Sequence, residues 1–175
     1  MAITIDATVG GASANSYVTL AEWTTYMEGR LNSDAFDDAT ADSKNRALVE
    51  ATRELTALTW QGYRVNDTQA LAWPRDWVID VDDPNYDYYD DDEIPVRLKR
   101  ATYELALAFL KAGATDIVSQ DTALDVKMES IGGAITTEYY EAGHRTRGIA
   151  RYPAVMREIG NLLMGSRLSS RVVRT

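Results

Sequence analysis

The feature that most constrains this chain is a tryptophan followed directly by a proline, within Gln69-Ala70-Leu71-Ala72-Trp73-Pro74-Arg75. Steric conflict with the proline ring disfavours helical backbone at the residue before it, so the stretch predicts a rigid extended elbow with an aromatic anchor. Helical patterning lies on both sides. Upstream, Ala47, Ala51, Leu55 and Leu58 form an apolar stripe widened by Leu48, predicting a helix from Ser43 to about Thr59 that exits through Trp60-Gln61-Gly62-Tyr63. Downstream, Pro95 sits near the first position of a helix, where its missing amide costs nothing. Leu98, Ala101, Leu105, Ala108 and Phe109 mark the buried face of that helix, Thr102 interrupts it, and Gly113 stops it.

The remaining segments complete a mainly α chain. Thr19 and Glu22 have the spacing of a capping box and open a helix from about 20 to 30, with Leu20, Trp23 and Met27 at helical intervals. The stretch 32–42 is acidic and rich in small residues and reads as a loop. After Gly113 the period changes to two: Leu124, Val126 and Met128 alternate with Asp125, Lys127 and Glu129, Gly132-Gly133 can turn, and Thr137 and Tyr139 favour extended structure. This predicts a small β-hairpin over about 124–140. Tyr152-Pro153 leads into a fourth helix from Ala154 to about Met164, on which Val155, Ile159, Leu162 and Leu163 share one side. The expected architecture is a four-helix bundle-like body over 1–165 with the hairpin attached, followed by an extended C-terminal tail, 166–175.

Composition excludes several chemistries. The 175 residues contain no cysteine and a single histidine, His144, which removes disulfides, thiolate metal sites and multi-histidine centres. No glycine-rich phosphate loop and no Gly-x-Ser-x-Gly elbow is present, and paired carboxylates on rigid elements are not apparent. No cofactor and no enzymatic activity are expected. The start Met1-Ala2-Ile3-Thr4-Ile5-Asp6 has neither a basic leader nor an apolar core, and no window approaches the ~20 apolar residues of a membrane span, so a soluble protein made in the cytoplasm is expected.

The net charge of −9 argues against a surface given over to nucleic acid, yet it averages two opposite regions. The run 80–93 includes Asp82, Asp83, Asp90, Asp91 and Asp92 and holds no base. It lacks the glycine of a helical calcium loop, and Pro84 stiffens it. From His144 onward arginines dominate, with Glu158 the lone acid. Such asymmetry suits head-to-tail contact between copies or with a neighbour, and suits equally a solvated loop and a flexible tail. In the tail, Arg167, Arg171 and Arg174 interleave with Leu168, Val172 and Val173, a pattern able to order in a partner's groove. Tyr139 and Tyr140, near Arg145, Arg147 and Arg151, are read first as strand tyrosines that cover the helices, with a weak face for stacking single-stranded bases as the alternative.

Taken in order, several landmarks resemble the head-tail adaptor (head-completion or connector) proteins of tailed bacteriophages. They are Ala14-Asn15-Ser16-Tyr17-Val18, the helix from Arg46 to Leu58 leading to Trp60-Gln61-Gly62, the Trp73-Pro74-Arg75 elbow, Glu93-Ile94-Pro95 before Ala101-Thr102-Tyr103-Glu104-Leu105-Ala106, and Tyr152-Pro153-Ala154-Val155. Sequences of this type are also labelled as similar to a primosomal single-stranded DNA-binding protein. The adaptor resemblance implies a structural protein of the virion neck that forms a homo-oligomeric ring, twelvefold by resemblance, between the portal protein and the tail or head-closure proteins. It helps to close the filled head, and genomic DNA passes its lumen without sequence-specific binding. On that view the tail residues dock on the portal, the acidic run meets neighbouring subunits, and Trp60, Trp73, Pro74, Arg75, Pro95, Tyr152 and Pro153 are structural anchors. The alternative function is a single-stranded DNA-binding module.

Overall fold

A computed structural model describes residues 3–85, 87–113, 126–130, 136–139 and 148–164. In chain order the elements are α1 (Leu20–Glu28), α2 (Asp34–Asp37), α3 (Ala41–Thr56), β1 (Tyr63–Arg64), β2 (Arg75–Asp76), α4 (Val96–Ala112), β3 (Val126–Ser130), β4 (Thr136–Tyr139) and α5 (Pro153–Ile159), the last flanked by short 3-10 turns. The chain is mainly helical, as expected. α4 is the central helix: α3 packs along it on one side, α5 on another, and α2 touches it as well. These contacts describe helices gathered around α4 and do not establish a four-helix bundle.

Local signals explain the helix starts. The Thr19 hydroxyl accepts from the Glu22 amide at 3.2 Å while the Glu22 carboxylate accepts from the Thr19 amide at 2.8 Å, the reciprocal capping box. Thr40, three residues earlier than the expected start of the second helix, caps α3 through the Ser43 amide. The stretch expected to be a loop holds α2, whose Phe36 is buried edge-on against Trp23 at 4.8 Å. One buried aromatic, with no apolar repeat around it, organises that turn.

Trp23, Met27, Ala47, Leu48, Ala51, Leu55, Leu98, Ala101, Leu105, Phe109, Val155, Ile159 and Leu162 are all buried, so the apolar stripes do face a common core. α4 departs from a single buried face, because Tyr103, Ala106 and Leu107 are buried too. Thr102, the polar interruption, is fully buried and donates its hydroxyl to the Leu98 carbonyl at 2.9 Å, which satisfies it inside its own helix.

The elbow is non-helical, a run of bends over 70–74 that leads into β2, and its Trp73-Pro74 bond is cis. Trp73 lies 1% exposed between Trp60 (centroids 5.8 Å) and Tyr89 (6.4 Å), both edge-on. Gln69 is buried beside it; its amide nitrogen donates to the Leu71 and Pro74 carbonyls at 2.9 and 3.1 Å. Arg75 closes the other end, with Nε and Nη2 donating to the Gln61 and Gly62 carbonyls at 2.6 Å and Nη1 to the Ala72 carbonyl at 3.1 Å. That clamp aligns β1 with β2 in the antiparallel register Tyr63↔Asp76, Arg64↔Arg75, a second two-stranded ladder that the sequence reading did not anticipate. The expected hairpin is present as β3 and β4, paired from Val126↔Tyr139 to Ser130↔Thr136 with an irregularity between Val126 and Met128.

Candidate nucleic-acid interface

α1 ends at Gly29, and the chain turns through Arg30, Leu31 and Asn32 beside the C-terminal half of α4 and the start of α5. Between them opens a cleft of about 460 Å³, lined by Arg30, Leu31, Glu104, Lys111, Arg151 and Tyr152 among others. The cations come from three separate places in the fold: just past α1, the last turn of α4, and the 3-10 turn that precedes α5.

Arg30 is held in place by Glu104, whose two carboxylate oxygens lie 2.8 and 3.0 Å from Nη2. Glu104 also accepts from the Tyr26 hydroxyl at 2.6 Å, and the Arg30 guanidinium lies 5.7 Å from the Tyr26 ring centroid. Burial, followed by the hydrogen bond to Glu104 and its charge, pushes the Tyr26 pKa up to about 12, so the phenol stays a donor across the neutral range. Glu104 therefore offsets Arg30, and Lys111 and Arg151 add two further basic side chains to the lining of the cleft. Tyr152, half-buried, packs edge-on to Phe109 at 6.3 Å, and Leu31 is 100% exposed at the rim. Cations beside aromatic and apolar surface are the combination that tracks a phosphate backbone while unstacked bases find cover.

Of the arginines proposed from sequence to meet nucleic acid, Arg151 lines this cleft, while Arg145 and Arg147 lie outside the described residues. Tyr139 falls in β4, and Tyr140 is outside the described residues. Arg30 and Lys111 were missed: each is an isolated base near a helix end, and only packing brings them to one opening.

Trp60 is buried and its indole nitrogen donates to the Leu55 carbonyl at 3.0 Å. Pro74 is buried, Pro95 occupies the N-cap of α4, and Pro153 begins α5 after Tyr152. The acidic run is tied down more firmly than a solvated loop. Ile79 bridges to Tyr88, the Tyr89 amide donates to the Val78 carbonyl at 2.9 Å, and Asp82 accepts from Arg97 Nε at 2.8 Å. Asp83, Asp90, Asp91 and Asp92 remain on its surface, Asp83 half-buried and the other three exposed. The tail residues Arg167, Leu168, Arg171, Val172, Val173 and Arg174 lie outside the described residues. Among the described residues no cluster of three or more His, Asp or Glu side chains is arranged to hold a metal ion, and no helix is long and apolar enough to cross a membrane.

A family model described as "Putative DnaT-like ssDNA binding protein" matches residues 1–175. No curated protein and no solved structure matches the chain. The match falls on the primosomal label, and nothing in these comparisons supports the head-tail adaptor resemblance. Because the match covers the full length given, the chain belongs to the DnaT-like single-stranded DNA-binding protein family.

Proposed function

We propose that this protein binds single-stranded DNA without transforming it, and that the cleft between the end of α1, the end of α4 and the start of α5 is where the strand lies. The observation that carries this reading is the convergence of Arg30, Lys111 and Arg151 with Tyr152 and Leu31 on one opening of an otherwise acidic chain. Lys111 and Arg151 meet phosphates, Tyr152 and Leu31 cover bases, and the Glu104 bridge keeps Arg30 oriented. With a net charge of −9 the long-range field opposes the strand, so binding is weak and local.

Anisotropy of a labelled oligothymidylate tests this. If two phosphates are neutralised, the logarithmic salt slope is about −1.4, a loss of roughly sevenfold between 50 and 200 mM salt. The double variant Lys111→Glu, Arg151→Glu should lower affinity at least about tenfold and flatten the slope. Unchanged affinity in that variant, or no binding by the wild type at low salt, refutes the reading.

A second reading is favoured by the separation of charge, with the acidic run fastened to one surface and arginines gathered beyond it. In it the protein is a head-tail adaptor of the virion neck, made in the host cytoplasm. It forms a ring between portal and tail, its tail segment docks on the portal, and the acidic run contacts neighbouring subunits. Negative-stain imaging with and without portal, and loss of attachment on deleting 166–175, test it; a monomer indifferent to portal sinks it.

A further inference from the structure

One surface is left with the opposite character from the cleft. Trp77 is 62% exposed, whereas Trp23, Trp60 and Trp73 are each 3% exposed or less. Its indole meets the exposed Tyr88 ring at 5.4 Å and 61°, and Ile79, bridged to Tyr88, is exposed alongside. Tyr63, 74% exposed, stands on β1 directly opposite Asp76, the residue before Trp77. Trp77 also adopts φ 63°, a left-handed conformation that strains a bulky residue and here accompanies an exposed indole. Around these rings stand Asp76, Asp80 and Asp87, none in an ion pair among the described residues.

The described chain ends beside the segment that leads into β1. The Gln61 amide donates to the Leu162 carbonyl and the Met164 amide to the Thr59 carbonyl, both at 3.0 Å, while Leu163 bridges to Trp60. Tyr63 lies three residues beyond Trp60, on the order of 10 Å away along the chain. Residues 165–175 span about 35 Å when extended, several times that gap. They hold Arg167, Arg171 and Arg174 among Leu168, Val172 and Val173, and no acid.

We propose that segment 166–175 docks on the aromatic and acidic face of its own chain formed by Tyr63, Trp77, Ile79 and Tyr88. Guanidinium groups lie over the exposed rings and pair with the flanking aspartates, and the aliphatic residues cover Ile79 and the indole. Charge and reach argue for this occupant: a short tether holds the segment at a millimolar effective concentration, so even a contact of ~100 µM intrinsic strength is closed in about nine molecules of ten. An acid-rimmed face repels phosphate, which separates this surface from the DNA cleft. It is independent of the DNA-binding reading and competes with the adaptor reading, in which the same segment docks on the portal.

Acrylamide quenching of tryptophan fluorescence tests it, because Trp77 is the accessible indole and Trp77→Phe isolates its signal. Comparing the full chain with one ending at Gly165, removal of the segment should raise the Trp77 quenching constant about twofold. Arg167→Glu, Arg171→Glu and Arg174→Glu together in the full chain should reproduce the rise. Lys111→Glu with Arg151→Glu should leave the difference intact, whatever happens to DNA binding. Equal quenching in full and shortened chains overturns the proposal. Protection that fades on dilution also overturns it, since that places the segment on a second copy.

Discussion

Replacing Arg75 by methionine keeps most of the aliphatic volume and removes the donors that hold the elbow to β1. The guanidinium contacts three carbonyls, at 2.6, 2.6 and 3.1 Å, and two of them belong to consecutive residues of the exit from α3. A hydrogen bond to a charged donor contributes about 1.5–3 kcal/mol when fully buried. Arg75 is only half-buried, so water replaces part of what is lost and about 1 kcal/mol for each bond is the appropriate scale. The expected loss is therefore about 3 kcal/mol, a large share of the ~5–15 kcal/mol that stabilises a domain. Urea titration followed by far-UV circular dichroism should show a midpoint lower by roughly 1–3 M, with a melting temperature lower by about 6–12 °C. Arg75→Lys separates charge from geometry: an ammonium cannot span three carbonyls held in a planar fork, so it should recover only part of the loss. A methionine variant within ~1 kcal/mol of wild type, or a lysine variant equal to it, would refute the clamp.

Gly62→Ala should be among the most damaging single changes, by about 3 kcal/mol or more. Gly62 has φ 65°, and a Cβ there would run into the Asp76 carbonyl oxygen and come within 2.8 Å of Val78 Cγ2, so β1 and β2 could not keep their register; a native-like urea midpoint would disprove this. At alkaline pH, Tyr17 and Tyr89, both raised to about 12 chiefly by burial, favour the folded state while protonated. Their contribution is complete below the unfolded phenol pKa of about 10 and is lost as pH climbs through about 12, so phenolate absorbance and loss of ellipticity should rise together in that window. Ionisation of these two groups well before unfolding would contradict their burial. Glu22 has the opposite sign. Burial raises its pKa, but the Thr19 amide and hydroxyl and Lys99 Nζ outweigh that and hold it below the usual carboxylate value. Its stabilisation is present above the unfolded pKa and fades as pH falls through the folded one, so Glu22→Gln should flatten the acid limb of the stability curve.

The helices that were legible in the sequence are those whose signals are strictly local. A capping box at Thr19 and Glu22, an apolar stripe through Ala51 and Leu55, and a proline at the entry of α4 act over one or two turns. The short helix around Phe36 was not legible, because a single aromatic has no period; its burial against Trp23 is a tertiary contact. The two-residue strands β1 and β2 were equally silent. Their pairing depends on Arg75 reaching back to Gln61 and Gly62, and nothing in either dipeptide announces that. α4 carried an amphipathic signature, yet α2, α3 and α5 pack around it, Tyr26 of α1 stacks on Tyr103 at 4.8 Å, and Ala106 and Leu107 are buried as well.

The candidate site divides in the same way. Charge segregation, the lack of cysteine and the tyrosine-arginine neighbourhood before α5 are properties of composition and order, and they made recognition the expectation. That Arg30 and Lys111 share a cleft with Arg151, while Trp77 stands exposed near the exit of the arginine-rich segment, follows from how α1, α4 and α5 pack and where Leu163 returns to Trp60. Periodicity and caps arise from interactions between residues a few positions apart, so the order of amino acids suffices to reveal them. Convergence of distant side chains depends on the packing of whole elements, which no short window of the chain contains.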